Sequence, residues 1–164
     1  MTSHQKLLSA ISAVLFLLLG SASARAQLVT RHVVSLAEAQ RLTAAGRTIA
    51  AERDRDIVVA VVDRNGDVIL IERMDEADVG SVVIAQGKAL TAARLKQPTR
   101  VAEEAINGGR PALATLFAGG VFVKGGLPIV VNGEVVGGIG CSGSNNSQID
   151  EEICMAALEV LRTR

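Results

Sequence analysis

Aromatic side chains are almost missing from this sequence: it has no tryptophan, no tyrosine, and three phenylalanines, Phe16, Phe117 and Phe122. A surface for stacking nucleic-acid bases has next to nothing to be built from, and the core must be assembled from Val, Ile, Leu and Ala. Histidine is as scarce. His4 falls in an N-terminal leader, so His32 is the one imidazole of the mature chain. That excludes a His/Cys zinc cluster and a catalytic triad built on a second histidine. Two cysteines, Cys141 and Cys154, are too few for a disulfide scaffold. Excess charge is absent too. The 17 basic residues balance 17 acidic ones, and loss of Lys6 and Arg25 with the leader moves the net charge to near −2. Nucleic acid and anionic membranes are therefore poor partners.

The leader itself is well marked. Lys6 supplies a positive start, Leu7 to Leu19 is apolar apart from Ser9 and Ser12, and a small-residue tract ends in Ala24-Arg25-Ala26. This is the layout of a secretory signal peptide. Its 13-residue apolar stretch is short of the ~20 residues that a membrane-spanning helix needs. Cleavage is expected after Ala26, leaving Gln27 to Arg164 as one domain of a periplasmic or secreted protein with no membrane attachment. An oxidising compartment permits a Cys141–Cys154 disulfide. The simpler expectation is two buried thiols acting as small apolar side chains.

Ser35-Leu36-Ala37-Glu38 has capping-box spacing, and Leu36, Ala39, Leu42, Gly46 and Ile49 recur at helical intervals behind it, predicting a helix over 36–53. The period then changes. Ile57 to Val62 and Val68 to Arg73 flank Asn65-Gly66, and Pro128 to Val131 and Glu134 to Ile139 flank Asn132-Gly133. Asn-Gly between two such runs signals a hairpin, because both residues tolerate positive φ. Helical segments are expected over 79–96, from a Thr99 cap to Ile106, at 111–117, and from Ser147 onward with Ile149, Ile153, Ala157, Val160 and Leu161 on the apolar face. Gly120 to Val123 reads as a further short strand. The expectation is an α+β fold with a five-stranded antiparallel sheet flanked by helices. Two-residue hairpins cannot make parallel crossovers, so a Rossmann-type sheet is unsuitable.

Gly137-Gly138-Ile139-Gly140-Cys141-Ser142-Gly143 is glycine-rich. It lies late in a hairpin strand, without the strand–loop–helix setting or the lysine of a phosphate cradle. Its glycines suit a helix pressed closely against the strand. Lys88 lies on a helical turn otherwise made of Ala, Leu and Thr, where it is either an anion clamp or a surface lysine covering apolar neighbours. Gly125-Gly126 can turn the chain into a strand and can present backbone N–H groups to an anion. Asp150, Glu151 and Glu152 open the last helix, where the dipole favours carboxylates. Asp75, Glu76 and Asp78 form an acidic cluster that reads as a solvated loop in preference to a weak site for iron or another hard cation.

Five pieces stand out together: Val61-Val62-Asp63-Arg64-Asn65-Gly66; Glu72-Arg73-Met74-Asp75; Lys88-Ala89-Leu90-Thr91-Ala92-Ala93; Lys124-Gly125-Gly126-Leu127-Pro128-Ile129; and Val136 to Gly143 with Asp150-Glu151-Glu152 beyond. In that order and spacing, residues 35–163 resemble the GlcG-like family of haem-binding, sometimes called haem-degrading, proteins. That family includes a secreted streptomycete haem sensor and the C-terminal domain of some corrinoid adenosyltransferases. The resemblance implies a five-stranded antiparallel sheet, homo-oligomers, and haem binding in some members. The chain departs from the pattern at Gln148-Ile149-Asp150, where a Gln-Asp pair is usual, and at Cys141 and Cys154, where small apolar residues are usual.

The resulting expectation is an exported, homo-oligomeric binding protein for haem or a related tetrapyrrole, with Lys88, Gly125, Gly126, His32 and Asp150 as candidate cofactor-binding residues. Haem iron needs an axial donor, and the candidates are His32, Met74, Met155, the two cysteines and Lys88. A second class is an enzyme acting on a small carboxylated metabolite in the Lys88 pocket, with Asp150 or Glu151 as acid/base. A third is an accessory subunit that works through its oligomer interface.

Overall fold

In the computed structural model, residues 30–162 are described, and the leader expected over residues 1–26 lies outside them. Helix α1 (Leu36–Ala51) is followed by β1 (Val58–Asp63), β2 (Val68–Arg73), α2 (Ser81–Leu95) and α3 (Thr99–Asn107). A 3-10 turn (Pro111–Thr115), β3 (Gly126–Val131), β4 (Glu134–Ser142), α4 (Ser147–Leu158) and a last 3-10 turn (Glu159–Leu161) complete the domain. None of the described helices is long and apolar enough to cross a membrane.

The strands form one sheet in the order β2-β1-β4-β3, and all three pairings are antiparallel. The α+β class is as expected, but the sheet has four strands, not five. The segment expected as the fifth, Gly120 to Val123, is not a strand. Its Val121 N–H donates to the Gly87 carbonyl (3.2 Å) and to Thr91 Oγ1 (3.0 Å), both on α2. With its Val121 N–H bonded to a helix, the segment does not offer that donor to a sheet edge.

β1 is central and has helices on both faces. Val59 and Val61 belong to the core shared with α1 and α4, and Val58, Ala60 and Val62 to the core shared with α2. This explains why β1 reads as an unbroken apolar run rather than an alternating one. α2 lies directly on β4. A Cβ at Gly140 would run into the Ala85 carbonyl, so glycine there lets the helix backbone approach the strand.

The two hairpins differ. Asn132 and Gly133 both have positive φ (51° and 78°), as a two-residue turn requires. At the first hairpin only Gly66 does. There the Asp63 carboxylate accepts the N–H groups of Asn65, Gly66 and Asp67 at 2.7–2.9 Å, and the ladder shifts register between Val61 and Val62. A side chain that satisfies three consecutive amides selects a wider turn than Asn-Gly alone would. The caps behave similarly. Ser35 accepts from the Glu38 N–H as expected (3.1 Å). Asn146 caps α4, its side chain accepting the Gln148 N–H (2.9 Å). Thr99 is not the cap of α3, because its hydroxyl is bonded to Gly126 instead.

The cysteines are not free thiols. Cys141 on β4 and Cys154 on α4 form a disulfide with Cα atoms 5.8 Å apart. Both are fully buried. The register of β4 beneath α4 brings together two residues that sequence reading treats as independent apolar side chains.

Candidate functional site

The most heavily satisfied polar cluster in the interior is built on Lys88 and Asp150. Lys88 projects from α2 just before Ala89, Leu90 and Thr91, and it is only 2 % exposed. Its Nζ donates to Asp150 Oδ2 at 2.8 Å and to the Cys141 carbonyl at 3.0 Å. Asp150 lies in the first turn of α4, where the helix dipole favours its charge. Its other oxygen accepts from the Ser144 N–H (3.1 Å) and the Ser144 hydroxyl (2.7 Å). Gly125 makes room for the pair. Its φ is +108°, and a Cβ there would stand 2.8 Å from Lys88 Nζ and 2.9 Å from the Asp150 Cβ.

Lys88, Asp150 and Gly125 are thus brought together. The lysine charge read as an anion clamp is already paired inside the protein. One of its three N–H donors has no partner among the described residues, and Lys88 and Asp150 both line an open cavity of about 430 Å³ with Ser81, Ile84, Val121 and Asn146. Gly126 adjoins the cluster, but its N–H is taken by Thr99 Oγ1 at 3.0 Å. Asp78 lines the same cavity. No group of three or more metal-ligating side chains occurs among the described residues. Ser144 and Thr99, which hold this cluster in place, carry no mark in the sequence that separates them from other loop hydroxyls.

Glu151 follows Asp150 directly but faces another cavity, of about 270 Å³, between the start of α3, the start of β3 and α4. Adjacent residues on a helix point about 100° apart, so neighbouring carboxylates serve different surroundings. Burial pushes the Glu151 carboxyl above the usual carboxylate range, against the lowering pull of Arg100 and Lys124. Between the ordinary and the raised value the folded state holds a proton that the unfolded state has released. Stability therefore falls as pH rises through that window. Glu151→Gln should accordingly raise the melting temperature by a few degrees at pH 8 and leave it unchanged at pH 4. Thermal melts at the two pH values check this.

His32 is remote from Lys88. It lines a third cavity, of about 380 Å³, between the chain entering α1 and the β3–β4 hairpin, walled by Val33, Val34, Ile129, Val131 and Val136. Among the donors that could meet haem iron, the cysteines are consumed by their disulfide and Lys88 is held by Asp150. Met74 is packed against both apolar cores, and Met155 lines the Glu151 cavity. His32 is exposed and stands beside an aliphatic wall. An imidazole donor beside aliphatic side chains is a donor set that suits haem iron. Ser35, Glu38 and Asn132 make the rest of the lining polar, so the fit rests on His32 and the valine side of the cavity. The Lys88 cavity offers no comparable donor among its described lining residues.

Comparison with known proteins places the chain in a family. Residues 34–159 match the family described as haem degrading protein HbpS-like. Protein GlcG of Escherichia coli K12 is 34 % identical over 115 residues, covering 69 % of this chain and 84 % of GlcG. The crystal structure of a double mutant of Streptomyces reticuli HbpS superposes with a TM-score of 0.76 at 32 % identity, covering 87 % of this chain and 98 % of that one. A crystal structure of a PduOC–haem complex gives 0.72 at 27 % identity, covering 78 % and 94 %.

Proposed function

The chain belongs to the HbpS-like family, and on that premise we propose that it is an exported binding protein for haem or a closely related tetrapyrrole. The observation that carries the reading is His32, an exposed imidazole lining a cavity with aliphatic side chains beside it and Ser35, Glu38 and Asn132 also on its wall. His32 would supply an axial donor to the iron, and Val33, Val34, Ile129, Val131 and Val136 would pack against the macrocycle. Haem bound there would supply redox and oxygen chemistry, and the family is described as haem degrading. A cavity of about 380 Å³ is at the small end for a ligand of this size. A homo-oligomer whose second copy covers the exposed part of the ring belongs to the same reading.

The test is a haem titration of the exported form beginning at Gln27. With no Trp or Tyr the protein barely absorbs at 280 nm, and bound haem dominates the spectrum. A saturable Soret shift is expected at about one haem per protomer with micromolar or tighter affinity, near −8 kcal/mol. His32→Ala should move the Soret maximum and weaken binding about tenfold, near 1.4 kcal/mol. A non-saturating titration would remove haem from the reading. A His32→Ala spectrum identical to the wild type would remove the His32 cavity.

A further inference from the structure

We propose that the cavity lined by Arg100 and Glu151 is a binding site for a short aliphatic monocarboxylate, distinct from the His32 and Lys88 cavities. The first observation is a buried carboxyl without a hydrogen bond. The Glu151 side chain is 4 % exposed, and its Oε1 is enclosed and makes no hydrogen bond among the described residues. Arg100 Nε stands 3.4 Å from that oxygen, an ion-pair distance that makes no hydrogen bond. An enclosed polar atom left this way carries a desolvation cost that no hydrogen bond offsets, so its occurrence at a cavity wall points to a partner that completes it.

The second observation is the arginine. The Arg100 side chain is half-exposed, and its contact among the described residues runs through Nε. Its terminal nitrogens form the fork that pairs with a carboxylate in two parallel bonds. Leu127, Pro128, Met155 and Leu158 supply an apolar wall, and the Glu159–Arg162 pair also lines the cavity. A charged fork at one end of an aliphatic slot matches a carboxylate head with a short hydrocarbon tail.

Charge decides between ligand classes. A cation would meet Arg100 and the nearby Lys124. A dianion would bring a surplus negative charge close to Glu103, Glu104 and Glu159. A monoanion balances Arg100 once Glu151 has taken a proton from solvent, and the Glu151 O–H then donates to the ligand. Desolvation already favours that neutral form. Arg162, across the cavity, is paired to Glu159 at 3.2 Å on the surface. Binding is thus coupled to uptake of one proton and strengthens as pH falls.

Calorimetric titration of the mature chain with hexanoate tests this at pH 6.0 and 8.0, each in two buffers of different ionisation enthalpy. Saturable binding is expected, about tenfold tighter at pH 6.0, with proton uptake visible as a buffer-dependent heat. Arg100→Gln should weaken it at least about tenfold at both pH values, the loss of one charge-assisted pair. Glu151→Gln carries a permanent N–H donor and should flatten the pH dependence while its melt shows an intact fold. Absence of saturable heat from hexanoate at both pH values would overturn the proposal. So would hexanoate binding indifferent to Arg100→Gln, or inorganic phosphate binding as tightly as hexanoate. Haem titration of Arg100→Gln is expected to match the wild type, because the His32 cavity is separate.

Discussion

Lys88→Met is expected to destabilise the protein by about 3–5 kcal/mol, the range for removing one partner of a buried ion pair. The loss is not the worth of the Lys88–Asp150 attraction. It is the penalty of leaving the Asp150 carboxylate, 4 % exposed, with only the Ser144 N–H and hydroxyl to compensate it. Asp150→Asn alone should be similarly costly, since the buried Lys88 charge loses its counter-charge and the amide NH2 must replace an oxygen that accepts from Lys88 or from Ser144. The double variant Lys88→Met/Asp150→Asn removes both charges and should recover a large part of the loss, a non-additivity expected of residues in direct contact. Urea unfolding of the four proteins, with the slope unchanged and the midpoint moved, gives the cycle. Additive losses would show that the two side chains do not pair in solution. A Lys88→Met loss under about 1 kcal/mol would place the lysine in the surface-pair range instead.

The disulfide has the next largest expected effect. Cys141 and Cys154 are 13 residues apart, and closing a loop of that length is worth about 3 kcal/mol through the entropy of the unfolded chain. For a domain of this size, reduction should lower the melting temperature by roughly 10 °C. Cys154 stands four residues after Asp150, on the same side of α4, and Cys141 supplies the carbonyl that Lys88 bonds. The bridge therefore ties α4 to β4 where the ion pair is held. The double variant Cys141→Ala/Cys154→Ala should lose somewhat more than reduction does, because both sulfurs are fully buried and their removal adds a small cavity. Denaturation without reductant, followed by a thiol reagent, should label no cysteine. Labelling of both would show that the bridge does not form.

Much of the local structure was legible in the residues. The capping spacing at Ser35, the apolar runs around both Asn-Gly pairs and the helical periods at 79–96 and from 147 onward each follow from interactions within a few residues. The antiparallel sheet follows from the short hairpins, and the tight packing of α2 on β4 from the glycines around Gly140. These features depend on steric and hydrogen-bonding preferences that travel with the local chain.

The charges were less legible. Lys88 and Asp150 are 62 residues apart in the chain, and no spacing rule joins them. Their contact exists because α2 and α4 both pack against β4, with Gly125 leaving space between. Asp150 and Glu151 look alike in sequence, yet a turn of helix sends one to Lys88 and the other to Arg100. Gly120 to Val123 has the composition of a strand, but α2 offered its backbone partners before any sheet edge did. The sequence carries the elements and the pattern of burial, through local propensity and hydrophobic period. Which polar groups meet, which cysteines bond and which cavity each carboxylate faces depend on how distant segments stack, because those contacts form only once the apolar faces are buried.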